Sequence, residues 1–98
     1  MANKHLNHIK DIREKRVYLF EAVLDTANDG KPSSKDGIIA IDKHVTEYAE
    51  NALGWYDLTT EDISTVANEV YQALIRLRDG EFIGTNDRDK INARLRGE

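Results

Sequence analysis

The chain has 98 residues, a formal net charge of −4 and no cysteine. This length predicts a single domain, 1–98, that can bury a core without disulfides. The lack of cysteine excludes disulfide frameworks and thiolate metal sites, and no run approaches the roughly 18 apolar residues that a membrane span needs. We therefore expect a soluble cytoplasmic domain that makes no contact with a membrane.

The first predicted helix covers residues 4–28. Apolar residues recur there at helical spacing and form one stripe, which consists of Leu6, Ile9, Ile12, Val17, Phe20, Val23, Leu24 and Ala27. Arg13 and Arg16 fall inside this stripe and not on the polar side of the helix. Because an unpaired buried charge is costly, each of these arginines needs a partner or a route to water.

The second predicted helix covers residues 34–53. Ser33 and Asp36 have the spacing of a capping box, with Asp in place of the usual Glu. Asp42 falls inside the apolar stripe of this helix. The β-branched run "GIIAI" leaves an alternative, in which 37–41 and 81–85 pair as a short two-stranded β element.

The charged residues within the stripes have three interpretations. Arg13 and Arg16 can lay their stems on the core and keep their charged ends in water. They can instead form an internal ion pair with Asp42 that fixes the register of the helices. The third interpretation is a polar pocket or interface that meets a ligand or partner.

The third predicted helix covers residues 60–78 and has the clearest start signal of the chain. Thr59 is placed as the N-cap and Asp62 as the third helical residue, which is the spacing of a capping box. Leu58 and Ile63 are placed as a hydrophobic staple across this start.

A short fourth helix is predicted over residues 86–96. Ile91 and Leu95 are its two strong apolar anchors, so it should bury little area. Three long amphipathic helices, one short helix and brief connections predict an all-α fold, a small antiparallel bundle.

The net charge conceals a strong segregation along the chain. Residues 36–75 hold eight acids and one base, Lys43, whereas residues 1–20 carry a net charge of +3. An acidic middle repels nucleic-acid phosphates and favours a basic partner surface.

The stretch "NALGWYDLTTED" places the only tryptophan of the chain beside a tyrosine, between two predicted helices. A loop aromatic commonly folds back to cap the core, which is one interpretation of Trp55. Trp and Tyr are also enriched as interface anchors, and acids surround them here. The predicted partner-binding residues are Trp55, Tyr56, Asp57, Glu61, Asp62, Glu47 and Glu50.

Three further apolar residues, Tyr18, Ile39 and Ile75, lie away from the main stripes of their helices. Single exposed apolar residues are ordinary. If the three converge, they form a second seam suited to a homodimer or another docking face.

The sequence contains no arrangement that indicates catalysis. No Gly-rich phosphate loop occurs, and the serines resemble capping or surface residues and not activated nucleophiles. We therefore expect no enzyme, no cofactor and no metal site.

The favoured function is a small non-enzymatic protein-binding module, an adaptor, inhibitor or regulator, that contacts a basic partner through an acidic helix hairpin with an aromatic knob. One alternative is a helical subunit of an oligomeric assembly. Another is a nucleic-acid-binding regulator that acts through its basic ends. The residues of those ends are Lys10, Arg13, Lys15, Arg16, Arg88, Lys90, Arg94 and Arg96.

Overall fold

A computed structural model describes residues 11–27 and 33–98. Four α-helices lie within these residues: α1 (Ile12–Ala27), α2 (Gly37–Glu47), α3 (Thr60–Arg78) and α4 (Thr85–Arg96). The all-α class is confirmed. The alternative β element is wrong, since residues 37–41 begin α2 and residues 81–84 link α3 to α4. The run "GIIAI" is used at helical spacing, with Ile41 buried and Ile39 exposed.

The predicted helix boundaries agree closely with those of α3 and α4. The predicted first helix is observed from Ile12, and its residues 4–10 and 28 lie outside the described part of the chain. The predicted second helix is composite. A 3-10 turn (Ser34–Asp36) precedes α2, and a π-helical turn (Tyr48–Ala52) follows it.

Both predicted capping boxes form. The Ser33 hydroxyl accepts a hydrogen bond from the Lys35 backbone N–H, and the Asp36 carboxylate accepts one from the Ser33 N–H at 2.9 Å. At the start of α3, the Thr59 hydroxyl accepts from the Asp62 N–H at 3.1 Å, and the Asp62 carboxylate accepts from the Thr59 N–H at 3.0 Å. Each box satisfies backbone donors that a helix start leaves without a partner.

The helix α3 lies at the centre of the fold and packs against α1 and α2. Arg78 near its end donates a hydrogen bond to the Ser34 hydroxyl at 3.4 Å, and Ser64 near its start donates to Asp42 at 3.3 Å. Because the start of α3 contacts Asp42 and its end contacts Ser34, α2 and α3 are antiparallel. The apolar residues that α3 buries are Ile63, Val66, Ala67, Val70, Ala73 and Leu74.

The helix α4 buries two apolar residues, Ile91 and Leu95, as its sequence predicts. Polar contacts with the rest of the fold supplement this small apolar area. The contacts are Arg16 to the Leu95 carbonyl (2.6 Å), Arg76–Asp87 (3.3 Å), Arg88–Glu21 (3.1 Å), Arg94–Glu69 (2.8 Å) and Arg96–Glu14 (2.7 Å). Arg96 at the end of α4 pairs with Glu14 near the start of α1, and Arg88 pairs with Glu21 further along it, so α4 is antiparallel to α1.

The Arg94–Glu69 pair should stabilise the docking of α4 more than the exposed pairs do. Glu69 is buried and accepts two hydrogen bonds from Arg94, which raise the pKa of that guanidinium. We expect Glu69→Gln to lower the free energy of unfolding by about 1 kcal/mol, a modest value because the arginine is half exposed. Amide hydrogen exchange should show faster exchange in α4, and Glu14→Gln provides the exposed control. If amide exchange in α4 is unchanged in Glu69→Gln, the Arg94–Glu69 pair does not stabilise the docking of α4.

Candidate functional site

The end of the second helical segment is reshaped by its π-helical turn. The Leu53 N–H donates to the Tyr48 carbonyl at 3.3 Å, and the Trp55 N–H donates to the Ala49 carbonyl at 2.8 Å. Gly54 between them has φ of 70°, a backbone conformation that favours glycine. This turn folds the chain back so that Trp55 points into the protein.

The side chain of Trp55 is only 7% exposed and belongs to the core. The Tyr18 ring meets it edge-on with ring centroids 5.8 Å apart, and Lys15 Nζ lies 5.3 Å from its centroid. The prediction that Trp55 is an exposed contact residue is therefore wrong. Its alternative interpretation, an aromatic that caps the core, describes the structure.

The two residues after Trp55 face outward. Tyr56 is 72% exposed, which fits its predicted place on a contact surface. Asp57 is also exposed, but Lys15 Nζ lies 3.0 Å from its carboxylate. The hydrogen bond from Lys15 lowers the pKa of Asp57. Asp57 is therefore a partly neutralised acid and adds less negative field than its sequence position predicts.

Asp62 is buried, so its predicted role as an exposed partner-binding acid is wrong. Its carboxylate caps α3 through Thr59 and lies 2.7 Å from Arg16 Nη1. Burial alone would raise the pKa of Asp62, but the hydrogen bonds from Thr59 and Arg16 outweigh that effect and lower it. The helix cap thus aims this carboxylate at α1 and away from solvent.

The predicted internal ion pair has different members from those expected. Arg16 does form one, but with Asp62 and not with Asp42. Arg13 pairs on the surface with Asp11 at 3.0 Å. Asp42 accepts a hydrogen bond from Ser64, because its side of α2 meets the start of α3 and not α1.

A groove lies where α2, the loop after Gly54 and the start of α3 meet, with a volume of about 290 Å³. Apolar side chains and the acids Asp42 and Glu50 share its lining. The full lining is Asp42, Thr46, Ala49, Glu50, Trp55, Tyr56, Leu58, Thr60 and Ile63. No basic residue of the described ranges, 11–27 and 33–98, lines the groove, so we take it as the candidate site.

Most of the eight acids between residues 36 and 75 form no ion pair within the described part of the chain. Asp57, Asp62 and Glu69 are the members that do. The unpaired members are Asp36, Asp42, Glu47, Glu50 and Glu61. We call these five residues the acidic strip. Glu47, Glu50 and Glu61 were predicted from sequence as partner-binding residues, and Lys43 is the one base between residues 36 and 75.

A second cavity, of about 430 Å³, lies between α1 and the π-helical turn. Its lining includes Tyr18, Glu21, Asp25 and Tyr48. The Glu21 carboxylate already accepts a hydrogen bond from Arg88 at 3.1 Å. Asp25 is the acid of this cavity that forms no ion pair within the described residues, and the lining contains none of the predicted partner-binding residues.

The three residues of the predicted oligomer face are not gathered at one place. Tyr18 packs against Trp55 and lines the second cavity with Tyr48, at the end of the second helical segment. Ile39 is 83% exposed at the other end, about 13 Å away along the helix at 1.5 Å per residue. Ile75 is half-buried on α3. The prediction that these three residues form one compact oligomer face is therefore wrong.

The basic ends, predicted as an alternative nucleic-acid surface, are largely engaged with acids. Arg13, Arg16, Arg88, Arg94, Arg96 and Lys15 each form an ion pair. Lys90 is exposed and forms none within the described residues, and Lys10 lies outside them. Except for Arg13 and Asp11, which are two residues apart, the members of these pairs are far apart in the chain, and sequence reasoning therefore missed them.

Comparison with protein-family models, with curated proteins and with solved structures found no match for this chain. Across residues 11–27 and 33–98, no helix combines the length and apolar character needed to cross a membrane. The same residues contain no cluster of three or more potential metal-binding side chains. The assignment of function therefore depends on the geometry and charge of the groove and its surroundings.

Proposed function

We propose that this protein is a small non-enzymatic binding module, an adaptor, inhibitor or regulator of the cytoplasm, that contacts a basic surface of a protein partner. The observation that carries the proposal is the acidic strip, five acids without an ion pair in the described chain. Two members of the strip, Asp42 and Glu50, line the groove together with Tyr56, whose ring is largely exposed.

The distribution of charge supports this proposal. The arginines of α1 and α4 form ion pairs with acids such as Glu14, Glu21 and Glu69. They therefore do little to cancel the field of the acidic strip. A surface of one sign steers a partner of opposite sign and disfavours partners of like sign.

Tyr56 supplies a second kind of contact. Its ring is largely exposed, although the residue before it is buried. A tyrosine held by a short loop offers apolar area and a hydroxyl at low entropic cost, and tyrosine is enriched among interface residues that dominate affinity. Tyr56 should anchor the partner, while the acids orient the partner and increase the rate of association.

The nucleic-acid alternative has weaker support. Most of the basic side chains that it requires are already paired, so binding phosphates would break ion pairs within the fold. The acidic strip would also repel a nucleic-acid backbone. A basic protein surface meets neither obstacle.

Affinity capture from host lysate at about 50 mM salt, followed by quantitative mass spectrometry, tests the proposal. The test variant is Tyr56→Ser/Glu47→Gln/Glu61→Gln, which leaves the groove acids in place. We expect proteins captured by the wild type to bind this variant at least about tenfold less, since interface tyrosines and steering charges both contribute.

The matched control is Asp89→Asn/Glu98→Gln, which removes the same number of charges from an exposed region around α4. Capture by this control should equal capture by the wild type. If the Tyr56 variant retains the same captured proteins, the acidic strip is not the contact surface.

A further inference from the structure

We infer that the groove beside Tyr56 receives one long cationic side chain, a lysine or an arginine, from the basic partner. This inference rests on the proposed function and specifies what the partner inserts. It depends on the apolar floor of the groove, on its two acids and on the contact of Lys15 with Trp55 and Asp57 elsewhere in the fold.

The floor of the groove suits the stem of such a side chain. Ala49, Trp55, Leu58 and Ile63 line it with apolar atoms. The volume of about 290 Å³ lies at the small end of the roughly 300–1,000 Å³ that small-molecule sites occupy. The groove is therefore suited to a single side chain.

The acids of the groove disfavour a purely apolar occupant. An aliphatic side chain would displace water from the carboxylates of Asp42 and Glu50 without replacing its hydrogen bonds, which costs free energy. A lysine or arginine places its stem on the apolar floor and keeps a charged group for a carboxylate. The Tyr56 ring adds a face on which a cation is attracted.

Glu50 is the better placed of the two acids to receive the charge. Asp42 already accepts a hydrogen bond from Ser64. Glu50 lies about 12 Å further along the helical segment at 1.5 Å per residue, and its carbonyl accepts a hydrogen bond from the Gly54 N–H. Glu50 and Tyr56 both line the groove, so a cation in the groove has the carboxylate and the ring as its neighbours.

The fold contains the same combination once already. Lys15 Nζ lies 5.3 Å from the Trp55 ring centroid and 3.0 Å from the Asp57 carboxylate, with its side chain largely buried. An alkylammonium, an aromatic ring and a carboxylate therefore assemble on the α1 side of this loop. The groove offers the same components, Tyr56 and Glu50, without a cation of the described chain.

Synthetic peptides of alternating glycine and a basic residue test the inference, with binding measured by calorimetry at about 50 mM salt. The basic residue is lysine, arginine or diaminobutyrate, which has the charge of lysine but two methylenes fewer. We expect the lysine or arginine peptide to bind roughly tenfold more tightly than the diaminobutyrate peptide, as the loss of two buried methylenes implies.

Two protein variants with equal loss of charge complete the test. Glu50→Gln changes the groove, whereas Glu47→Gln changes an exposed acid of the strip that does not line it. We expect Glu50→Gln to weaken binding of the better peptide at least about fivefold and Glu47→Gln less than about twofold, since a rim charge contributes little to affinity.

The outcomes separate this inference from the proposed function. If all three peptides bind equally and the two variants weaken binding equally, the inference is overturned while a basic partner surface remains supported. If no basic peptide binds the wild type, both are overturned. A preference for arginine over lysine, or the reverse, identifies which of the two cations the groove accepts.

Discussion

Replacement of Trp55 by alanine is expected to lower the free energy of unfolding by about 3–5 kcal/mol, the range for removing a large aromatic side chain from a core. The tryptophan is buried, packs against the Tyr18 ring and lies under Lys15. Its removal would leave a cavity between α1 and the groove and would take away the ring over which the Lys15 ammonium lies. Urea denaturation followed by circular dichroism measures this change.

The matched control is Tyr56→Ala, the neighbouring aromatic in the same loop. Tyr56 is exposed, so its removal should change the free energy of unfolding by no more than about 0.5 kcal/mol. Equal stability of the two variants would contradict the burial of Trp55. The comparison also matters for function, because a Trp55→Ala variant that loses a partner has lost part of its core and not a contact residue.

Local sequence signals predicted the helices well. The capping box of Thr59 and Asp62 fixed the start of α3, and the box of Ser33 and Asp36 marked the start of the second helical segment. These motifs act within four residues, so the sequence contains the whole interaction. The predicted bounds, 60–78, are those of α3.

Interactions between distant residues were not predictable in the same way. The sequence shows that Arg16 needs a partner, but the choice of Asp62 over Asp42 depends on which sides of α2 and α3 meet α1. Leu19 is fully buried although it lies outside the single predicted stripe of the first helix. It is buried because α1 packs against both α3 and α4 and therefore needs a wider apolar surface.

The candidate site was predicted in part. Tyr56, Glu47, Glu50 and Glu61 face solvent or remain unpaired within the described chain, in agreement with their predicted surface positions. The groove itself could not be predicted, because the π-helical turn that shapes it has no clear sequence signal. That turn sends one aromatic of the Trp-Tyr pair inward and the next outward.

The pairing of charges connects the fold to the proposed function. Arginines from both ends of the chain neutralise acids at the helix interfaces, as in the pairs of Arg16 with Asp62 and Arg94 with Glu69. Because most arginines of α1 and α4 are used in these pairs, five acids of α2, its flanking turns and the start of α3 keep no cationic partner within the described chain. The ion pairs that hold the bundle together therefore also decide which acids remain unpaired.

Replacement of Arg16 by methionine is expected to lower the free energy of unfolding by about 3 kcal/mol, as removal of one partner from a buried ion pair does. The Arg16 and Asp62 side chains are 17% and 9% exposed, and Arg16 also donates to the Leu95 carbonyl at 2.6 Å. The substitution would leave one oxygen of the buried Asp62 carboxylate and the Leu95 carbonyl without the Arg16 donor, while Thr59 still donates to the other carboxylate oxygen. Urea denaturation of the single variants and of Arg16→Met/Asp62→Asn should give a coupling of about 2 kcal/mol.

The cost of this substitution should depend on pH. Asp62 has a lowered pKa in the folded protein, so its contribution is fully present above its unfolded pKa of about 3.9 and is lost as the pH falls through the lowered value. The difference in stability between wild type and Arg16→Met should therefore be largest near neutral pH and shrink in strong acid. Arg13→Met, the same change at an exposed pair on this part of the chain, should have little effect at any pH. A penalty for Arg16→Met that persists undiminished in acid would mean that lost packing, and not the pair with Asp62, is what the arginine contributes.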